Sequence, residues 1–151
     1  MTPTTGVILV IEDKVIDTFS RFAQYHPTDT EAGGILLGRR RGAHFEILDA
    51  TVPTKFDTRT RTFFKRSEKI HSDIAKRMWS QSKGQISYIG EWHSHPEVVP
   101  SPSSVDIFEW SKLSVECKSP HGYSMVIVGT QGIWCGMTKI SGEVVQAVQV
   151  N

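Results

Sequence analysis

The chain has 151 residues, 22% of them charged and 38% hydrophobic, with a formal net charge of +1. That length suits one domain over 1–151 with a real core and is short for two. The near-neutral balance calls for neither nucleic acid nor an anionic membrane, no apolar run is long enough to span a bilayer, and two cysteines make no disulfide framework. No basic, apolar and cleavage-site sequence opens the chain, so the expectation is a cytoplasmic protein with free thiols, Cys117 being a buried one.

Gly6–Ile11 reads as a buried strand. Asp13 is placed to cap a helix over Lys14–Tyr25, whose apolar stripe is Val15, Phe19, Phe22 and Ala23. After a loop comes Glu31-Ala32-Gly33-Gly34, then a core strand at Ile35–Leu37. Arg39–Gly42 reads as a hairpin turn and His44–Val52 as the partner strand. Thr54–Thr62 is polar and reads as an exposed loop that a partner orders, with a strand or edge following to Lys65. Ser67 is placed to cap a second helix over Glu68–Lys83, ended by Gly84 and buried along Ile70, Ile74, Met78 and Trp79. His71 lies off that stripe and receives no role. A strand over Gln85–Ser94 follows. A third helix begins near Ser103, either with Ser101 as cap and Pro102 first, or with Ser103 and Asp106 as a capping box, and runs to Leu113. Three strands close the chain, Tyr123–Gly129, Ile133–Lys139 and Glu143–Val150. Strands interleaved with about three helices and ending in a meander predict a single mixed α/β domain.

The chemistry concentrates in Tyr88–Asp106. His93 and His95 are two residues apart on a strand, so both point to one face while Ser94 points away. On a helix the same spacing would put them on nearly opposite sides. Pro96 holds His95 extended, and Asp106 lies eleven residues further on. Two imidazoles and a carboxylate form the ligand set of a catalytic zinc, which keeps its fourth position for water. Taken singly, a His-x-His pair is a surface strand and a Ser-x-x-Asp is a helix cap; together they are rare.

The run His93-Ser94-His95, seven residues, Ser103, two residues, Asp106 resembles the JAMM motif of the MPN/JAB metallopeptidases. Glu31, in Glu-Ala-Gly-Gly-Ile-Leu-Leu-Gly, is similar to that family's catalytic glutamate in its usual strand context. The wording around the histidines resembles small bacterial members, including stand-alone peptidases encoded with CBASS antiphage systems. The resemblance implies an MPN (JAB) fold with a mixed, mostly antiparallel curved sheet. It assigns one zinc ion to His93, His95 and Asp106, the general base to Glu31 and an oxyanion donor to Ser103. The implied reaction cleaves the bond after the C-terminal tail of a conjugated protein, either a ubiquitin-like domain or a cGAS-like nucleotidyltransferase.

Glu91 and Glu97 are the rival bases, Glu91 sharing the face of His93 by spacing alone. Thr54–Phe64 is the candidate edge for an extended tail. A processing peptidase for a ubiquitin-like or sulfur-carrier precursor is the next reading. A non-catalytic scaffold of the same fold would have no need of four intact polar positions, and a zinc deaminase would need a Pro-Cys-x-x-Cys pair that is missing.

Overall fold

A computed structural model describes residues 7–147. It is a mixed α/β fold of three helices and a seven-stranded sheet in the order β1-β3-β2-β6-β7-β8-β9, with β4 and β5 forming a separate two-stranded hairpin. The strands are β1 (Leu9–Ile11), β2 (Gly33–Arg41), β3 (His44–Ala50), β4 (Thr58–Thr60), β5 (Phe63–Lys65), β6 (Ser87–Ser94), β7 (Tyr123–Val128), β8 (Ile133–Thr138) and β9 (Val144–Gln146). The helices are α1 (Asp13–Phe22), α2 (Glu68–Gln81) and α3 (Ser104–Cys117). Two pairs, β1/β3 and β6/β7, run parallel and the others are antiparallel. The α3 crossover joins the parallel pair β6/β7, as a parallel connection requires.

Strand alternation sorts the core onto two faces. Along β7, Val126 and Val128 pack with Val15 and Phe19 of α1, whereas Tyr123, Met125 and Ile127 pack with Trp110 of α3. Trp92, Trp110 and Trp134 are all buried. β6 obeys the alternation only past a bulge. Leu36 pairs with Gly90 and Leu37 with Tyr88, so Ile89 is an extra residue. The phase changes there: Ile89 and Trp92 share the α1 face, while Tyr88 packs on the α3 side.

Several local expectations are corrected. Arg39–Arg41 continues β2, and the turn falls at Gly42, whose φ of +62° suits glycine. Asp13 is the first residue of α1, not its cap; Glu12 holds that position without a side-chain bond. Ser67 stands at the start of α2, but its side chain makes no cap bond. Trp79 is exposed, and the one fully buried side chain of α2 is His71. Thr54–Thr62 is not loop throughout, since Thr58–Thr60 pairs with Phe63–Lys65. Cys117 is exposed, and both thiols are free. The expected end of the last strand lies partly outside the described residues. Among those residues no helix is long and apolar enough to cross a membrane.

Candidate metal centre

The α1 side of β6 anchors the strand and the α3 side presents its chemistry. Trp92 donates its indole N–H to Thr51 O at 2.9 Å. Ser94, fully buried, accepts Ala32 N–H at 2.9 Å and donates to Gln24 Oε1 at 2.7 Å. With 92 and 94 held from behind, His93 and His95 project together from the other face, as the alternation predicts. Their Nε2 atoms are 3.0 Å apart.

α3 brings the acid. Ser103 caps the helix and Asp106 answers it: Asp106 N–H donates to Ser103 Oγ at 3.1 Å, and Ser103 N–H donates to Asp106 Oδ2 at 2.8 Å. The capping box thereby fixes the Asp106 rotamer. Its Oδ1 lies 3.2 Å from His93 Nε2 and its Oδ2 lies 3.1 Å from His95 Nε2. These three groups approach one another pairwise at 3.0–3.2 Å, the carboxylate facing each imidazole with a different oxygen, and so outline a triangle. A tetrahedral ion with bonds of about 2.0–2.1 Å needs ligand–ligand edges of about 3.3 Å. A slight expansion of the triangle admits it.

The tautomers suit the same purpose. His95 Nδ1 lies 2.7 Å from Glu97 Oε1, so its N–H faces that carboxylate and Nε2 is the ring atom left facing the triangle. Metal-binding imidazoles are commonly oriented in this way. Burial disfavours the charged form of His95, but its bonds to Asp106 and Glu97 outweigh that and raise its pKa to about 9. Burial likewise pushes Asp106 up, and the bonds from His93 and His95 more than reverse it, holding the carboxylate well below its usual range. Acidic groups crowd two imidazoles here, surroundings that favour a cation.

Glu31 approaches from the segment before β2. Gly33 pairs with His93, and Ser94 N–H donates to Ala32 O at 2.8 Å, which sets Glu31 beside the triangle. A carboxylate oxygen of Glu31 and one nitrogen of each imidazole lie within 4.8 Å of one another. Two acids therefore stand near the pair, and the roles separate by distance. Asp106 touches both imidazoles, whereas Glu31 stands back and is buried. Burial raises its pKa to about 7, with the two histidines pulling the other way.

Glu91 does share the face of His93, but its carboxylate is taken. It pairs with Arg66 and accepts the Tyr88 hydroxyl at 3.2 Å. Sequence reasoning missed Arg66 as its partner, because nothing in the spacing of 66 and 91 announces the pair.

These groups line a cleft of about 970 Å³. One wall is the hairpin, residues 62–65, and the other is α3 from Val105 to Glu116. Ser103 is exposed and lines it, and the hydroxyl proton has no acceptor among the described residues. A smaller hollow of about 280 Å³ between α1 and the 128–133 turn holds no histidine, cysteine or carboxylate.

Comparison with known proteins agrees with this geometry. Residues 12–140 match the Prok-JAB family, prokaryotic homologues of the JAB domain. The chain is 39% identical over 136 residues to a CD-NTase/cGAS isopeptidase of Pseudomonas aeruginosa, covering 90% of this chain and 86% of the relative. It is 38% identical to one of Escherichia coli, covering 90% and 85%, and 33% identical to one of Vibrio cholerae, covering 85% and 81%. The solution structure of protein DSY2949 from Desulfitobacterium hafniense has the same fold, with a TM-score of 0.63 at 20% identity over 93% of this chain and 88% of that one.

Proposed function

Since the chain belongs to the Prok-JAB family, we propose that it is a zinc-dependent isopeptidase that releases a protein conjugated through its C-terminal tail. The relatives' names point to a CD-NTase, a cGAS-like nucleotidyltransferase, as that protein. The observation that carries the reading is the triangle of His93, His95 and Asp106 with Glu31 beside it, inside one cleft.

Zinc held by His93, His95 and Asp106 would supply Lewis acidity and a water acidic enough to ionise near neutral pH. Glu31 takes the nucleophile's proton at a carboxylate oxygen and returns it to the leaving amine. Ser103 donates its hydroxyl to the developing oxyanion, a task its place in the cleft lining allows. Glu97 accepts from His95 Nδ1 and so directs Nε2 toward the ion, which would replace the Nε2 proton on binding. No covalent enzyme intermediate is required, and neither cysteine lines the cleft.

The tail itself binds by strand addition. β4 reaches back to Glu31 through Thr60 O, so the opposite side of the hairpin, β5, is the edge that faces the cleft. An extended tail along β5 would be read through its main chain. The proposed edge, Phe63–Lys65, overlaps the end of the expected Thr54–Phe64 segment and runs one residue past it.

The test is purified zinc-loaded protein incubated with a CD-NTase joined through its C-terminus to lysine. Wild type should release the CD-NTase and a chelator should stop it. Glu31→Gln should keep one zinc per chain and lose turnover about 10²–10⁴-fold. Full activity in metal-stripped protein, or a wild-type rate in Glu31→Gln, would sink the proposal. Loss of turnover in Glu91→Gln with zinc intact would move the base to Glu91.

A further inference from the structure

A second polar constellation lies outside the cleft and is sealed from water. His71 has no exposed surface, Thr51 is 6% exposed and the Asp57 side chain has none. Thr51 Oγ lies 2.6 Å from His71 Nδ1, and His71 Nε2 lies 3.1 Å from Asp57 Oδ2. The connectivity is that of a hydroxyl–imidazole–carboxylate triad. It is not a second catalytic site, because no substrate can reach it and Thr51 Oγ already accepts Ile35 N–H at 2.8 Å. The Asp57 carboxylate only accepts, so the imidazole donates to it from Nε2, and the Thr51 hydroxyl faces Nδ1.

What the constellation does is fasten backbone. Asp57 also accepts Thr54 N–H and Ser67 N–H, each at 2.7 Å. It thus joins the loop after β3, the start of α2 and the residue immediately before β4. β4 then holds Glu31: Thr60 O accepts Glu31 N–H at 2.7 Å, and Arg59 Nε donates to Glu31 O at 2.7 Å. Both backbone polar groups of Glu31 therefore bond to a strand whose root is pinned by His71. Burying an imidazole and a carboxylate costs stability that an apolar pair would not. Such a network instead specifies one arrangement of the segments it joins.

We propose that His71 is a positioning residue for Glu31, acting through Asp57 and β4. The inference rests on Glu31 being the proton acceptor, and it predicts an effect that can be read without turnover. In metal-free full-length protein, His71→Leu should speed exchange of the Glu31 amide about 10–100-fold, while amides of β7 stay near wild type. His71→Gln, which keeps an N–H donor for Asp57, should restore most of the protection. Arg59 is exposed, so Arg59→Met tests the far end of the path without disturbing the core. With the CD-NTase conjugate it should lower kcat about tenfold and change KM less than about twofold. Combined with His71→Leu, the two losses should be less than additive.

Uniform loosening of β7 and Glu31 in His71→Leu would show a merely structural role and overturn the inference, as would an unchanged Glu31 amide. If His71→Leu does not fold, a wild-type kcat in Arg59→Met or no protection of the Glu31 amide in His71→Gln overturns it equally. A wild-type rate in Glu31→Gln would remove the proton acceptor and leave the exchange result standing, so the two failures are distinct.

Discussion

Two buried carboxyl groups in this chain are driven in opposite directions by what surrounds them. Burial lifts Glu31 to a pKa of about 7, because the charges near it do not outweigh lost hydration. Burial also pushes on Asp57, but Ser67 N–H, Thr54 N–H and His71 more than reverse it and hold its pKa below the usual aspartate range. The folded-state value of Asp57 is thus lower than the unfolded one. Its contribution to stability is complete above the unfolded value of about 3.9 and is lost as pH falls through the lower folded value. Asp57→Asn should cost on the order of 2–4 kcal/mol in urea unfolding from pH 5 to 8. The gap between the two proteins should narrow below about pH 4. A gap that is independent of pH, or that widens on acidification, would show that the Asp57 bonds do not hold the charged form.

At the scale of elements, β6 is the part most legible in the sequence and also the part with a hidden device. Period-two alternation placed His93 and His95 on one face, and the capping signal at Ser103 placed Asp106 in the first turn of α3. The bulge at Ile89 was not legible, since it depends on the register of β2. Its carbonyl accepts the Ser124 hydroxyl at 2.9 Å. That close approach is possible because residue 90 is glycine: a Cβ there would meet Ser124 O at 1.8 Å. Gly90→Ala must push β7 away from β6 and disturb the strand that carries His93 and leads into His95. It should destabilise the protein by about 1–3 kcal/mol in urea unfolding and weaken zinc binding in a competition titration. Wild-type stability together with wild-type zinc affinity would mean that the strand adjusts freely and that the register does not govern the site.

The whole molecule shows why the remainder escaped sequence reading. His71 looked idle because only tertiary structure sets it against Thr51 and Asp57, twenty and fourteen positions away. Nothing in the sequence pairs Arg59 either, because its partner, the Glu31 carbonyl, is brought to it by the fold. What was legible came from short spacing; what was missed joins segments distant in sequence.

The candidate metal centre is itself such a junction, and an ion bound there would have a consequence for stability. Trp110 anchors α3 by stacking on Trp134 at 5.4 Å, and Ser111 donates to Gly142 O at 2.6 Å. At its N-terminal end the helix meets β6 through Asp106, against His93 and His95. An ion held by these three side chains binds the folded chain and finds no such set once the sheet and helix separate. Zinc at about a hundred times its Kd should therefore stabilise the protein by about 2.7 kcal/mol. Thermal unfolding should show a rise in Tm with zinc and its reversal by chelator. Asp106→Asn, which can still accept Ser103 N–H, should fold with little or no response to zinc. Equal midpoints for the wild type with and without zinc would mean that the three side chains do not share an ion.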